Sequence, residues 1–322
     1  MKRRNFLVSS ILGGGFVSGT IHAQVEAWPT RPIRVIVPFP PGTANDIAAR
    51  VLAQSFGPQL SQPIVVENLT GAGGTIAFNA AAQAKNGHTL LLASTSMTIA
   101  PYASAVRYDV VRDFDAIGKI SVFPGVLVVP ANSSYRSVND IVADARARPG
   151  GVVSGTGGVG TSSHLATELF MGLAGINLLQ VPYRGEGEVV PNIISGTIPM
   201  AIVNLPSALR FIRSGLLRPL AVASKTPHPD LPGISTFGAL GLPGVEALGW
   251  VVLLAPKGTP PAGLTSLEGM LQKALATPSV VATLTTAGVS PVIGGRVETD
   301  EFIKGEGEHW GRVIRTRNIK FE

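Results

Sequence analysis

Short β-rich runs, several of them continuously apolar, alternate along this chain with helical segments, and that alternation limits the fold more than any other feature. The runs are Ile33–Val37, Ile64–Glu67, Thr89–Ala93, Val126–Val129, Val152–Ser154, Leu178–Val181, Met200–Val203, Leu217–Ala223 and Val251–Leu254. A strand that is apolar at successive positions is buried on both faces, as in a sheet covered by helices. Between the runs, Asp46–Phe56 sets Ile47, Val51 and Phe56 near one face and stops at Gly57-Pro58. Ser162–Leu173 sets Leu165, Leu169 and Leu173 along one stripe, with Gly175 behind it. The expected class is α/β with mostly parallel sheets. At 322 residues there is material for two domains, and no linker-like stretch divides them. Two lobes joined by strands that cross between them fit this chain better than beads on a string. No short-period repeat occurs, so solenoids and propellers are excluded.

Charged residues make up 14% of the chain, against about 25% in ordinary soluble proteins. With 45% hydrophobic residues as well, disorder and coiled coil are excluded. There is no cysteine, which removes disulfides, thiolate nucleophiles, Cys-based zinc sites and iron–sulfur clusters together. Basic residues are scattered, and no stripe of aromatics alternates with them, so nucleic acid is not an expected partner.

Met1–Ala23 has the three parts of a secretory signal peptide: the basic Lys2-Arg3-Arg4, an uncharged stretch to Thr20, and Ile21-His22-Ala23. Its apolar part is too short and too rich in glycine (Gly13 to Gly15) for the ~20 apolar residues of a membrane span. Arg3-Arg4-Asn5-Phe6-Leu7 also resembles a twin-arginine signal, which leaves the export route open. Three of the six net positive charges belong to this leader. The uncharged Thr89–Val106 carries too many Ser, Thr and Pro residues to be a membrane helix, and the mature chain is expected to be soluble.

In open α/β sheets, ligands bind beyond the carboxyl ends of strands, where loops lead into helices. Three loops at such ends stand out. Pro38–Asp46 contains Phe39, Gly42, Thr43, Ala44 and Asp46; Ser94–Thr98 contains Thr95 and Ser96; Gly155–His164 contains Gly160, Thr161, Ser162 and His164. They are rich in small or hydroxyl-bearing residues and hold no Lys or Arg. Small residues admit a ligand close to backbone N–H groups, and a helix N-terminus adds unpaired donors and a favourable dipole. Any one loop could be a turn and an N-cap only, but three at strand ends point to an anion site.

Catalytic patterns are missing. Gly155, Gly157 and Gly160 match a dinucleotide fingerprint, but no Asp or Glu lies between Asn177 and Arg184, where the ribose partner is needed. That match reads as a false positive, and no cofactor or metal is expected. No histidine pair has metal-ligand spacing, and Gly160–His164 lacks the closing glycine of a nucleophile elbow. His164 with Glu168 one turn later reads first as a structural contact holding the loop.

The same loops carry a family resemblance. Trp28-Pro29, Pro32–Gly42, Asp46 with Ala49-Arg50, Val65–Asn68, Gly71–Gly74 and Tyr108-Asp109 occur in order. They are followed by Gly160–Leu165 with Glu168–Phe170, then Val181–Gly185, Leu217–Val222 and Ala255–Pro260. Over almost the whole mature chain the sequence resembles the periplasmic solute receptors of tripartite tricarboxylate transporters, the Bug-type receptors. The resemblance implies a type II periplasmic binding protein fold: two α/β lobes with mostly parallel sheets around a central cleft. It implies a small organic carboxylate as ligand, a membrane transporter pair as partner, and the periplasm as location. The expected division is a signal peptide at 1–23, lobe 1 at 24–124, lobe 2 at 125–248, and a return to lobe 1 at 249–322. The chain is expected to act as a monomer and not as an enzyme.

In the family, the ligand carboxylate is held by the loop after the first strand and by the Gly-Thr-x-x-His loop of the other lobe. Those positions are Gly42–Ala44 and Gly160–His164 here. With them, Phe39, Thr95, Ser96, Ser162, Tyr183 and Asn204 are expected at or near the cleft, and Asp46 is expected to cap the first helix beside the ligand. Three departures bear on the ligand: Thr43 stands where a second glycine is common, Glu186 and Glu188 follow Tyr183-Arg184-Gly185, and Asn204 stands where Asp is frequent. Asn204 lacks the carboxylate that would pair with a ligand amino group. The glutamates, if they face the cleft, disfavour a highly charged tricarboxylate.

A receptor without a salt bridge is energetically feasible. Hydrogen bonds to charged groups are worth ~1.5–3 kcal/mol each. Micromolar affinity needs about 8 kcal/mol net, after association costs of at least ~4 kcal/mol. Roughly five or six charge-assisted bonds in a closed cleft would suffice. The rival readings are an α/β enzyme such as a dehydrogenase using Gly155–Gly160, and a receptor serving a sensor rather than a transporter.

Overall fold

In a computed structural model that describes residues 28–321, each apolar run named above overlaps a strand, three of them starting one residue early. The expected leader, 1–23, lies outside the described residues. In chain order, the first part contains β1 (Ile33–Val37), α1 (Ala44–Phe56), β2 (Ile64–Asn68), α2 (Thr75–Gln83), β3 (Thr89–Ser94) and α3 (Ser96–Ala103). Strand β4 (Phe114–Pro130) then leads into α4 (Val138–Ala147), β5 (Val153–Thr156), α5 (Ser162–Ala174), β6 (Leu179–Pro182), α6 (Glu186–Ile194), β7 (Ala201–Asn204), α7 (Leu205–Arg213) and β8 (Leu217–Ala223). The chain closes with β9 (Leu248–Pro256), α8 (Pro261–Ala276), α9 (Pro278–Thr286), β10 (Pro291–Gly294) and α10 (Arg296–Arg317).

Strand β4 belongs to two sheets. Phe114–Pro124 pairs antiparallel with β9, in a sheet ordered β10-β4-β9-β3-β1-β2. From Gly125 onward β4 pairs instead with β7 and β8. A parallel bridge from Ser154 to Met200 sets the β5–β6 pair beside β7 in this second lobe. The return crossing lies next to the outgoing one: Ala247 bonds to Gly125 and Ala223, and Leu248 opposes Pro124. In the first sheet β1, β2, β3 and β4 run one way and β9 and β10 the other. The sequence expectation of a strand at Val126–Val129 is too short, because Gly118, Pro124 and Gly125 read as strand breakers. They instead mark register shifts and the change of sheet.

Both faces of each sheet are covered, as continuous apolarity requires. Ile33, Val35 and Val37 pack with Ala48, Leu52 and Leu267 on one face. Ile36 packs on the other with Ala77, Phe78 and Ala81. In lobe 2, Leu127 and Val129 join Leu165, Leu169 and Phe170, while Val126 and Val128 join Val189, Ile193 and Leu209. Each fully buried side chain of this size contributes roughly 1.5–3 kcal/mol. One expected boundary needs correction. Helix α10 starts against lobe 1 through Ile303, but Trp310 and Ile314 are buried in the lobe 2 core. The final residues therefore strap across both lobes rather than returning to lobe 1, because α10, at 22 residues, is long enough to pass from one core to the other. Among the described residues, no helix is long and apolar enough to cross a membrane.

Candidate functional site

Five helix N-termini meet around one cavity between the lobes: α1 and α3 from lobe 1, and α5, α6 and α7 from lobe 2. Each follows a strand or a loop at a strand's carboxyl end, so its first N–H groups have no partner within the helix. The cavity is narrow, with about 40 Å³ open to the centre of a water molecule, enough for a few waters or a slender ligand. Phe39, Thr43, Ala44, Thr95 and Ser96 line it from lobe 1, and Thr161, Ser162 and Asn204 line it from lobe 2. Among the described residues, no Lys, Arg or His lines it.

The wall is held by hydrogen bonds that the local sequence supplies. Asn45 at the start of α1 donates to the carbonyls of Leu92 and Ala93, fixing that helix to the end of β3. The Thr161 hydroxyl caps α5 by accepting the His164 N–H while donating to the Gly158 carbonyl. Ser163 accepts the Gly157 N–H at 3.0 Å. Ser162 reaches across to Oδ1 of Asn204, 3.2 Å away.

The other residues singled out in the sequence lie elsewhere. Gly42 is exposed, and its N–H donates to Oδ2 of Asp46. Asp46 is buried but fully engaged, by Gly42, Arg50 and Asn68. Burial pushes its carboxyl up, yet these three partners outweigh burial and hold it below the usual range. Gly160 packs against Ala100 and Ala103 instead of presenting its backbone to the cavity. Tyr183 lines a separate interlobe groove together with Arg184 and Glu188.

His164 is the main correction among the family positions. It is buried and turned away from the cavity, with its ring 5.5 Å from that of Phe321. Burial lowers its pKa to about 4, and its Nδ1 has no hydrogen-bond partner among the described residues. Glu168 stands 3.9 Å from Nε2, too far for a hydrogen bond, and its own pKa is raised by burial. At neutral pH this is packing around a neutral imidazole, and not an ion pair or a proton-transfer pair.

The sequence reading also missed cavity residues. Phe123, Gly249 and Trp250 come from the crossing strands, which local pattern cannot place beside the loops. Ser207 comes from the first turns of α7. Glu186, one of the three sequence departures that bear on the ligand, stands in the wall itself. Its Oε1 accepts the Asn204 N–H at 3.0 Å, and its Oε2 accepts from Ser207 at 2.7 Å. Burial pushes this carboxyl up, only partly offset by those bonds. Among the described residues, no cluster of three or more His, Asp or Glu is placed to hold a metal.

Residues 48–319 match the family described as tripartite tricarboxylate transporter family receptor. The chain is 36% identical over 319 residues to protein BugT of Bordetella pertussis, covering 97% of this chain and 98% of that one. A solved R. palustris structure described with adipate superposes with a TM-score of 0.86 at 30% identity, covering 91% of this chain and 99% of that one. MatC from Rhodopseudomonas palustris with bound malate superposes at 0.83 and 25% identity, covering 89% of this chain and all of that one.

Proposed function

This chain belongs to the tripartite tricarboxylate transporter family of receptors, and we propose that its interlobe cavity captures a small organic carboxylate in the periplasm for delivery to a tripartite membrane transporter. The matched family and the solved neighbours are solute-binding proteins rather than enzymes, and the fold is the type II periplasmic binding protein fold. The observation that carries the reading is the meeting of five helix N-termini, from both lobes, on one cavity that no cationic side chain lines among the described residues. Each terminus offers N–H donors and a partial positive charge, which together favour an anion. Because the donors come from opposite lobes, a bound anion ties the lobes together, so binding and closure are coupled.

The test is thermal denaturation of purified protein, freed of carried-through ligand by unfolding and refolding, against a panel of organic acids. A ligand at 100 times its Kd adds about 2.7 kcal/mol and raises the melting temperature by several degrees. No shift across the panel, together with no small acid released from protein denatured straight from purification, overturns the reading. Titration with NAD and NADP separates the receptor from a dehydrogenase: the receptor binds neither.

A further inference from the structure

Glu186 places an acidic group in a cavity whose other polar features attract anions, and its surroundings decide what that group can do. It is the first residue of α6, 7% exposed, with both carboxylate oxygens in hydrogen bonds to the start of α7. Among the described residues no ion pair reaches it: the exposed Arg210 shares a second, neighbouring hollow with Glu186, but it lies outside the cavity and makes no salt bridge to the carboxylate. Three aromatic rings, Phe39, Phe123 and Trp250, line the same cavity. A buried carboxylate beside aromatic side chains, with no cationic side chain among the described lining residues, is the chemistry that receives a positively charged nitrogen.

Resting on the carboxylate-receptor reading above, we propose that the ligand is a small zwitterion: its carboxylate meets the helix N-termini, and its ammonium or quaternary nitrogen meets Glu186 and the aromatic rings. Glu186 is then the residue that sets ligand charge. Asn204 alone points away from an amino group, since it lacks a carboxylate; Glu186, bonded to the backbone of that same residue, supplies one from another helix. Closure explains the preference. Shutting the lobes over a dicarboxylate would bury Glu186 beside a second negative charge or force it to take up a proton. Shutting them over a zwitterion pairs every charge.

Isothermal titration of refolded protein with matched pairs tests this: γ-aminobutyrate against glutarate, δ-aminovalerate against adipate, and leucine against its α-hydroxy analogue. In the pair that fits, the amino member is expected to bind at least tenfold more tightly. The Glu186→Gln variant keeps an acceptor for the Asn204 N–H and removes the charge. It should lose at least tenfold for the amino member while the partner acid holds or gains affinity. Tighter binding of the plain acids to the wild type overturns the zwitterion and leaves the receptor standing. So does an unchanged amino-member Kd in Glu186→Gln. Failure of both members of every pair, and of the wider acid panel, removes the receptor reading and the zwitterion with it. If Glu186→Gln does not fold, the wild-type ratios alone decide.

Discussion

A β-carbon added to Gly73 would lie 2.4 Å from the carbonyl oxygen of Val159, across the seam between the lobes. Gly158 faces the same loop, with Gly73 atoms 3.5 Å from its own added β-carbon, and Gly185 sits as closely against Pro40. At Gly73 and Val159 the lobes therefore meet backbone to backbone, where even a methyl group does not fit. Gly73 also has φ of 61°, where alanine costs about 1–2 kcal/mol.

Gly73→Ala is accordingly expected to hold the lobes apart. Its ligand affinity should fall at least tenfold, while the ligand-free melting temperature falls by only a few degrees. Gly187→Ala is the control on the same seam: its added carbon meets Pro40 at an ordinary 3.4 Å, within a helix that favours alanine. Equal affinities for the two variants, read by titration calorimetry, would mean that the Gly73–Val159 approach does not limit closure.

The pH dependence of stability gives a second expectation. His164 has a folded pKa of about 4 against an unfolded value of ~6.5. Between those values the unfolded chain binds more protons, so stability rises with pH; it is lost as pH falls from about 6.5 to 4. The span corresponds to a loss on the order of 3 kcal/mol. Glu168 and Glu186, both raised by burial, act with the opposite sign, gaining protons in the folded state at low pH. His164→Phe keeps a ring against Phe321 and removes the titration. Urea midpoints at pH 4 and pH 7 should differ less in this variant than in the wild type. An unchanged difference would mean that His164 is reached by water.

Much of this arrangement can be read from residues in order, for definite reasons. The apolar runs that become β3, β7 and β9 are continuous because both faces of the sheets are covered, so their positions follow from hydrophobicity alone. Thr43, Thr161 and Ser162 reach the cavity because they are at helix starts after strands, a local relationship. What escapes local reading is non-local. Phe123 and Trp250 become neighbours of those loops only once β4 and β9 pair at the end of the first sheet, where the chain crosses between the lobes. Trp310 and Ile314 look like the tail of an amphipathic helix, and nothing in their spacing says which lobe receives them. His164 misleads for a similar reason: its place in the Gly-Thr-x-x-His run puts it one turn into α5, and Phe321, far along the chain, covers it.

Thr95 shows how a cavity residue can matter without meeting the ligand. Strand β3 ends at Ser94, and Thr95 turns to a helical conformation, so its backbone can no longer pair with β9. Its hydroxyl takes over, donating to the Leu248 carbonyl and accepting the Trp250 N–H, both at 3.1 Å. Those partners belong to the stretch where the chain re-enters lobe 1, beside the Trp250 ring in the cavity wall. Thr95→Val, with the same shape and no hydroxyl, leaves a buried N–H and a carbonyl without that partner. A loss of about 1–3 kcal/mol is expected, seen as a lower urea midpoint, with ligand affinity falling as the wall loosens. Thr95→Ser restores the hydroxyl and should recover most of both. If Thr95→Val weakens binding at full stability and Thr95→Ser fails to restore it, the threonine acts on the ligand directly and not through β9.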